Sequence, residues 1–213
     1  MPQDSTAENQ MQSSLAVLRK FVRPRPAAER CELCGTELRS EHQHLVELAT
    51  RQIVCGCDAC AILFSDQSAK KFRRVPRRIR SLISFHLDDV QWNALALPIS
   101  LAFFFYSTPE KKMIALYPSP AGATESLLTL DTWQEIAREN PVLENLQPDV
   151  EALLINRVGL KRDYFIAPMD ECYRLVGLIR ANWRGLSGGG EVWEKIDSFF
   201  ADLKARANEV ECA

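Results

Sequence analysis

The sequence predicts an α+β protein in which a small cysteine-rich metal module is followed by a mixed α/β domain. Two C-x-x-C pairs stand near the N-terminal end of the chain. Beyond them, strand-like apolar runs are mixed with helical stripes, and two amphipathic helices close the chain, which is typical of the α+β class. A length of 213 residues suits one mid-sized domain with a small module attached.

Changes in composition along the chain predict five segments. A polar tail, expected to be disordered, comes first, and a short apolar stripe ended by Pro24 and Pro26 follows it. The cysteine module, the α+β domain and a second tail come next. The predicted bounds are 1–14 for the first tail, 15–29 for the short helix and linker, 30–66 for the module, 67–207 for the α+β domain and 208–213 for the second tail.

The overall composition excludes several classes of protein. Hydrophobic residues make up 46% of the chain and charged residues 25%, with a net charge of −2, which disfavours a fibrous chain or a globally basic nucleic-acid binder. The first residues, MPQDSTAENQ, lack the pattern of a secretory signal, and the apolar run at 94–106 is too short to cross a membrane. We therefore expect a cytoplasmic, reduced protein, in which clustered cysteines favour metal binding over disulfides.

The two C-x-x-C pairs are the strongest chemical signal in the chain. Cys31 and Cys34, followed by Gly35, form the first pair, and Cys57 and Cys60 form the second, which begins 23 residues after Cys34. Two pairs at this separation are typical of a site with four thiolate ligands, which suits Zn²⁺ and which iron also accepts. We predict zinc, with iron as the alternative. The predicted metal ligands are Cys31, Cys34, Cys57 and Cys60.

The residues between and after the pairs predict the architecture of the module. The segment between them is typical of a β-hairpin with its turn at 49–51, and the residues after Cys60 favour a helix that carries the second pair in its first turn. Knuckle, hairpin and helix in this order predict a treble-clef zinc finger, with a zinc ribbon as the close alternative. Cys55 faces the same side as Cys57 on an extended strand, and it is an alternative ligand or a spare thiol near the metal.

Four cysteine ligands favour a structural metal over a catalytic one, because they fill every position of a tetrahedral ion. A rubredoxin-like iron electron carrier also uses two C-x-x-C pairs, but it has Gly after both, and Ala61 stands here. His42 and His44 lie between the pairs and resemble the HNH nuclease module, which is also a treble clef. No further catalytic residue of that module matches after Cys60, and the simpler interpretation is that both histidines face solvent on the hairpin.

A basic run, KKFRRVPRRIR at 70–80, follows the module and has seven Lys or Arg in eleven residues. Such a run can bind a phosphate backbone or an acidic protein surface. Phe72 is its only aromatic residue and Pro76 breaks any continuous recognition helix, so nucleic-acid binding is the alternative. The favoured interpretation is a solvated strand-and-turn edge or a patch for an acidic protein partner. The predicted partner-binding residues are Arg73, Arg74, Arg77 and Arg78.

Beyond the basic run, hydrophobic periodicity predicts strands and helices. A loop is predicted at 117–126, where YPSPAGATES is rich in Pro, Gly and small polar residues, and a short strand at 127–130. The other predicted strands are at 99–106, 113–117, 150–155 and 164–166. Helices are predicted after caps at Asp88 or Asp89, Asp131 and Asp170, and a last helix follows GLSGGG. Cys172 lies near a helix start without a histidine base in sequence, which disfavours a catalytic cysteine.

Several blocks of sequence together resemble an uncharacterised bacterial family that carries a domain of unknown function. The blocks are CELCG, CGCDAC-x-x-LF, YPSPAGATES, PDVEALLINR and ECYRLVGLIR-x-x-WRGLSGG, and the likeness covers residues 30–205. The genes of that family often neighbour those of NiFe hydrogenases and their maturation factors. The resemblance therefore implies an accessory or assembly role, and it carries over no catalytic residue.

These observations predict a zinc-binding, non-catalytic accessory protein that binds a protein partner. The resemblance, and not the composition or the spacing, implies that the partner belongs to NiFe-hydrogenase biogenesis or function. A rubredoxin-like electron carrier and a nucleic-acid-binding zinc module, HNH-like without nuclease activity, are the alternatives. No membrane span is expected.

Overall fold

The structure, a computed structural model, describes residues 29–64, 71–126, 130–185 and 187–212. Within these ranges the chain forms two β-sheets, five α-helices and one 3-10 helix, which confirms the predicted α+β class. The predicted tail at 1–14 and nearly all of the predicted helix and linker at 15–29 lie outside the described residues. The predicted boundary between residues 66 and 67 also falls outside them.

The N-terminal sheet has three antiparallel strands in the order β2-β1-β3. Strands β1 (Gln43–Glu47) and β2 (Gln52–Gly56) form the predicted hairpin, and helix α1 (Asp58–Phe64) follows it as predicted. Strand β3 (Phe72–Arg74) lies in the basic run and pairs with β1. The small core between the sheet and the helix contains Leu45, Ala61 and Phe72.

The larger sheet has seven strands in the order β10-β4-β9-β8-β5-β6-β7, antiparallel except where β10 pairs with β4. Strands β5 and β8 lie at its centre and are almost wholly buried, because helices cover both faces of the sheet. β10 lies within the segment 208–213, which the sequence assigned to a tail. The strands are β4 (Arg80–Ile83), β5 (Leu101–Ser107), β6 (Lys112–Ser119), β7 (Gly122–Ser126), β8 (Glu151–Asn156), β9 (Asp163–Pro168) and β10 (Asn208–Glu211).

The four strands predicted at 99–106, 113–117, 150–155 and 164–166 are confirmed by β5, β6, β8 and β9. The loop predicted at 117–126 is wrong, because this segment is a tight hairpin between β6 and β7. The Ser119 hydroxyl closes the turn by donating to the Gly122 carbonyl at 2.9 Å, and Gly122 adopts a φ of 125°. Of the strand predicted at 127–130, residues 127–129 lie outside the described residues and Leu130 begins a helix.

Five helices and a 3-10 turn surround the sheets. The Asp88 cap is confirmed, because its carboxylate accepts from the Gln91 N–H at 2.7 Å at the start of α2. The Asp170 cap is wrong: the helix begins at Met169, two residues earlier than a cap at Asp170 predicts, with Pro168 at the cap position and no side-chain cap. Besides α1, the helices are α2 (Asp89–Ala94), α3 (Leu130–Glu139), the 3-10 turn (Pro141–Asn145), α4 (Met169–Asn182) and α5 (Gly190–Arg206).

Alternation along the central strands builds one core on each face of the large sheet. Phe103 and Phe105 point to the face that α4 and α5 cover, and Phe104 points to the face that α3 and the 3-10 turn cover. The N-terminal sheet joins the first core, because Val46 of β1 is buried there while Leu45 points the other way, toward α1. Strand β1 therefore lies between the cysteine module and the main domain, and the side chains on its two faces meet different surroundings.

Candidate metal centre

The four predicted cysteines come together in the structure. The sulfur atoms of Cys31, Cys34, Cys57 and Cys60 all lie within 4.8 Å of one another. The sulfurs of Cys34 and Cys57 are 3.7 Å apart, and a tetrahedral zinc ion with bonds of about 2.3 Å holds its sulfurs about 3.8 Å apart. All seven cysteines, which lie among the described residues, are free thiols. The cluster can therefore hold a metal ion.

The first pair lies on a tight knuckle that backbone hydrogen bonds close. The Gly35 N–H donates to the Cys31 carbonyl at 2.7 Å, and the Cys31 N–H donates to the Thr36 carbonyl at 2.8 Å. Gly35 adopts a φ of 77°, which a glycine reaches without strain. The knuckle is fastened to β2 by two bonds between Glu32 and Cys55, one from each backbone N–H. Sequence and local chemistry thus explain why the first two sulfurs point to one place.

The second pair lies at the start of α1. Cys57 precedes the first helical residue, and its carbonyl accepts from the Ala61 N–H at 2.9 Å. Cys60 lies in the first turn, and its N–H points toward the Cys57 sulfur at 3.5 Å. The Gln43 side chain donates to the Asp58 carboxylate at 2.9 Å and thereby ties the helix to β1. Burial, together with the neighbouring cysteine thiols, raises the pKa of Cys60 to about 12 in the metal-free cluster.

Hydrogen bonding prepares one thiol of the cluster for metal binding. The Cys34 sulfur and the Thr36 hydroxyl oxygen lie 3.3 Å apart, and the hydroxyl can donate to a thiolate. This contact, together with hydrogen bonds from the Thr36 backbone and from the Cys31 and Cys60 thiols, lowers the pKa of Cys34 to about 6. Because a cysteine binds metal as the thiolate, Cys34 is the ligand that most readily supplies one at neutral pH.

Two of the predicted partner-binding arginines pair with carboxylates of the large sheet and its loops. Arg73 lies 2.9 Å from Asp149, and Arg78 lies 2.9 Å from Glu151. Both carboxylates are buried, while the two arginine side chains keep 37% and 48% of their surface exposed. Arg73 and Arg78 of the basic run therefore form ion pairs within the protein itself, with buried carboxylates of the main domain.

The other two arginines contact the hairpin. Arg74 donates to the Gln43 side-chain oxygen at 2.9 Å, and Arg77 donates to the His42 carbonyl at 3.0 Å. Arg77 is accessible to a partner, because 57% of its side chain is exposed and its ion-pair partner Glu41 is 88% exposed.

His42, His44 and Cys55 form a second group that sequence reasoning did not assemble. Their ligand atoms lie within 4.8 Å of one another, apart from the four-cysteine cluster. The interpretation that both histidines face solvent is wrong for His42, whose side chain is only 8% exposed. His44 and Cys55 are opposite each other in the β1–β2 register. This pairing across the predicted hairpin is the sequence signal that could have found the group.

No helix among the described residues has both the length and the apolar character needed to cross a membrane.

Comparison with known proteins identifies the family of this chain but not its function. No curated protein and no solved structure matches the chain. A sequence profile described as "Family of unknown function (DUF5947)" matches residues 30–207, from the knuckle to the end of α5. On this match over most of its length, the chain belongs to the DUF5947 family.

Proposed function

We propose that this protein is a zinc-binding, non-catalytic accessory or assembly factor that binds a protein partner. The observation that carries the proposal is the cluster of four cysteine sulfurs within 4.8 Å of one another. Four thiolates complete a tetrahedral shell and leave no position for water or substrate, so the ion at this cluster stabilises the fold and performs no chemistry. Knuckle, hairpin and helix-borne ligands support a treble-clef module.

A protein partner is supported by apolar surface beside the metal centre. Ile62 and Leu63 on α1 are 72% and 73% exposed, and Phe64 is 41% exposed. Consecutive exposed apolar side chains favour a protein surface over a phosphate backbone. In this proposal Arg73, Arg74, Arg77 and Arg78 add polar contacts at the edge of the apolar surface. The Arg77 side chain is more exposed than those of Arg73 and Arg78. The gene neighbourhood of the resembling family supports NiFe-hydrogenase subunits or maturation factors as the partner.

Metal content and colour test the first half of the proposal. Protein purified without oxygen is expected to contain zinc and to be colourless. Iron together with thiolate charge-transfer bands in the visible spectrum would overturn the zinc assignment and favour a rubredoxin-like electron carrier.

Affinity purification from a cell that produces hydrogenase tests the second half. Recovery of a hydrogenase subunit or maturation factor is expected, with less recovery for Ile62→Ser combined with Leu63→Ser. Leu160→Ser is the matched control, because Leu160 is 98% exposed and lies in the turn between β8 and β9. Equal losses for both variants, or no hydrogenase protein recovered, would contradict the proposed partner.

A further inference from the structure

We propose that His42, His44 and Cys55 bind a second metal ion, distinct from the ion of the four-cysteine cluster. The ligand atoms of the three side chains lie within 4.8 Å of one another, and a group of side chains this close together can hold a metal ion. His42 directly precedes β1, His44 lies on β1, and Cys55 lies opposite His44 on β2. The hairpin therefore holds the three groups together through its backbone pairing.

Side chains alternate between the two faces of the hairpin, and this alternation places Cys55 on the same face as His44. On β1, His44 shares the face of Val46, which packs in the main core, while Leu45 points to α1. On β2, Ile53 also packs against the main core, so Cys55 shares that face. Strand β2 ends at Gly56, and Cys57 leaves it for the helix start. The Cys55 sulfur is thus directed to the side of the main domain.

Both imidazoles are oriented with Nε2 available to a metal. His44 Nδ1 lies 2.7 Å from the Asp170 carboxylate, and His42 Nδ1 lies 3.0 Å from the Arg39 carbonyl. A carboxylate and a carbonyl only accept hydrogen bonds, so in the neutral imidazole each Nδ1 donates and each Nε2 keeps a lone pair. A carboxylate behind a histidine is the arrangement that orients metal-bound imidazoles and raises their basicity.

The surroundings of the His42 side chain give independent evidence for a metal ion at this site. Its side chain is 92% buried, and its Nε2 atom has no hydrogen-bond partner among the described residues. A buried acceptor without a partner costs free energy, and a metal ion beside it removes that cost. The neighbouring ring of His44 lies edge-on to it, with the ring centroids 4.9 Å apart.

The donor set and the surroundings indicate the kind of ion and its chemistry. Two imidazoles and one thiolate suit a divalent late transition metal such as Zn²⁺. Three protein ligands leave a fourth position for an exogenous ligand, unlike the closed shell of four cysteines. His42 and His44, but not Cys55, line a cavity of about 330 Å³, which is also lined by Arg77, Arg206 and the carboxylates of Glu41, Asp170 and Glu171. A small ligand on the metal therefore has space beside the two histidines and meets both cationic and carboxylate groups in the same cavity.

Cobalt titration of the full-length protein, with the four-cysteine cluster first filled with Zn²⁺, tests this site. Wild-type protein is expected to bind one further Co²⁺ with a sulfur-to-cobalt charge-transfer band. Cys55→Ser should abolish the band, and His44→Ala should remove binding. Asp170→Asn should weaken binding by about 10–100-fold, as for other groups behind metal-bound histidines. His86→Ala, at a histidine that is 70% exposed, should change neither.

Two results would overturn the second site. One is wild-type protein that takes up no Co²⁺ beyond the four-cysteine cluster. The other is further uptake that persists unchanged, with its charge-transfer band, in Cys55→Ser. Because the first cluster holds Zn²⁺ throughout, either result leaves the assignment of that cluster unaffected. Circular dichroism of each variant, compared with wild type, separates the loss of a ligand from the loss of the fold.

Discussion

The Arg78 Nε atom lies 2.9 Å from the carboxylate of Glu151, a side chain with no exposed surface. Arg80 approaches the same carboxylate at 3.0 Å, and the Gln147 N–H donates to it at 3.0 Å. Glu151 begins the central strand β8, so the buried charge joins the basic run to the middle of the large sheet. The basic run at 70–80, which the sequence indicates as a binding patch, thus also stabilises the contact between the cysteine module and the main domain.

Replacement of Glu151 by Ala is expected to destabilise the protein by about 3–5 kcal/mol, because two guanidinium groups lose a buried partner. Urea unfolding measures the change. Glu125→Ala is the control: Glu125 is 42% exposed and pairs with Arg51 and Lys112, and a surface pair of this kind contributes about 0–1 kcal/mol. Similar losses for the two variants would contradict a structural role for the buried carboxylate.

Loss of a single cysteine of the cluster is expected to release its metal. Cys31→Ser and Cys60→Ser remove thiols of the cluster that have 2% and 8% of their surface exposed, and a structural metal site of this kind contributes directly to folding. Metal analysis should find less bound ion, and hydrogen exchange should show lost protection in β1 and β2 with β5 and β8 still protected. Cys212 lies outside the cluster, so the Cys212→Ser variant should retain the metal. An equal loss of bound metal from Cys212→Ser would contradict the assignment of the metal to the four-cysteine cluster.

Two glycine substitutions are expected to change stability in opposite directions. Gly35 has a φ of 77° in the knuckle, so Gly35→Ala should cost roughly 1–2 kcal/mol through left-handed backbone strain. Gly177 is exposed within α4, and a Cβ there meets nothing within 4 Å. Gly177→Ala should therefore add about 0.5–1 kcal/mol. Thermal unfolding of the zinc-loaded protein measures both, and a stabilising Gly35→Ala would disagree with the knuckle geometry.

The thiol of Cys172 is expected to resist alkylation in the folded protein. Its side chain lies on the buried face of α4 and has no exposed surface, and burial raises the pKa of the thiol well above its ordinary value, with Asp170 and Glu171 adding to the effect. Since the thiolate is the reactive form, iodoacetamide should label Cys172 only when the protein unfolds. Mass spectrometry of native and urea-treated samples checks this. Equal labelling in both would show that the site opens readily.

Local patterns in the sequence were sufficient for the elements whose cause is local. The spacing of the two C-x-x-C pairs determines the knuckle and the helix start, because each turn spans only a few residues. The apolar runs of β5 and β8 identify buried strands in the same way, and the helical stripe of α5 identifies its buried face. Metal identity depends on more than these patterns, since both zinc and iron accept four thiolates.

Elements that depend on contacts with residues far away along the chain could not be predicted from local sequence patterns. Strand β7 looks like a loop because its residues favour turns, and it becomes a strand by pairing with β6. Strand β10 is short and polar, and it is extended because it pairs in parallel with β4, far away along the chain. The arginines of the basic run look solvated from the sequence, yet Arg73 pairs with Asp149 and Arg78 with Glu151, each more than seventy residues away along the chain.

The sequence by itself determined the α+β class, the four clustered cysteines and the secondary structure around them, because these depend on spacing within one turn, hairpin or helix. Tertiary structure alone decided the surroundings of His42, His44 and Cys55. Asp170, which orients His44, lies 126 residues further along the chain. Burial and hydrogen-bond geometry of this kind exist only after β1 has packed against the main domain, so no sequence spacing encodes them.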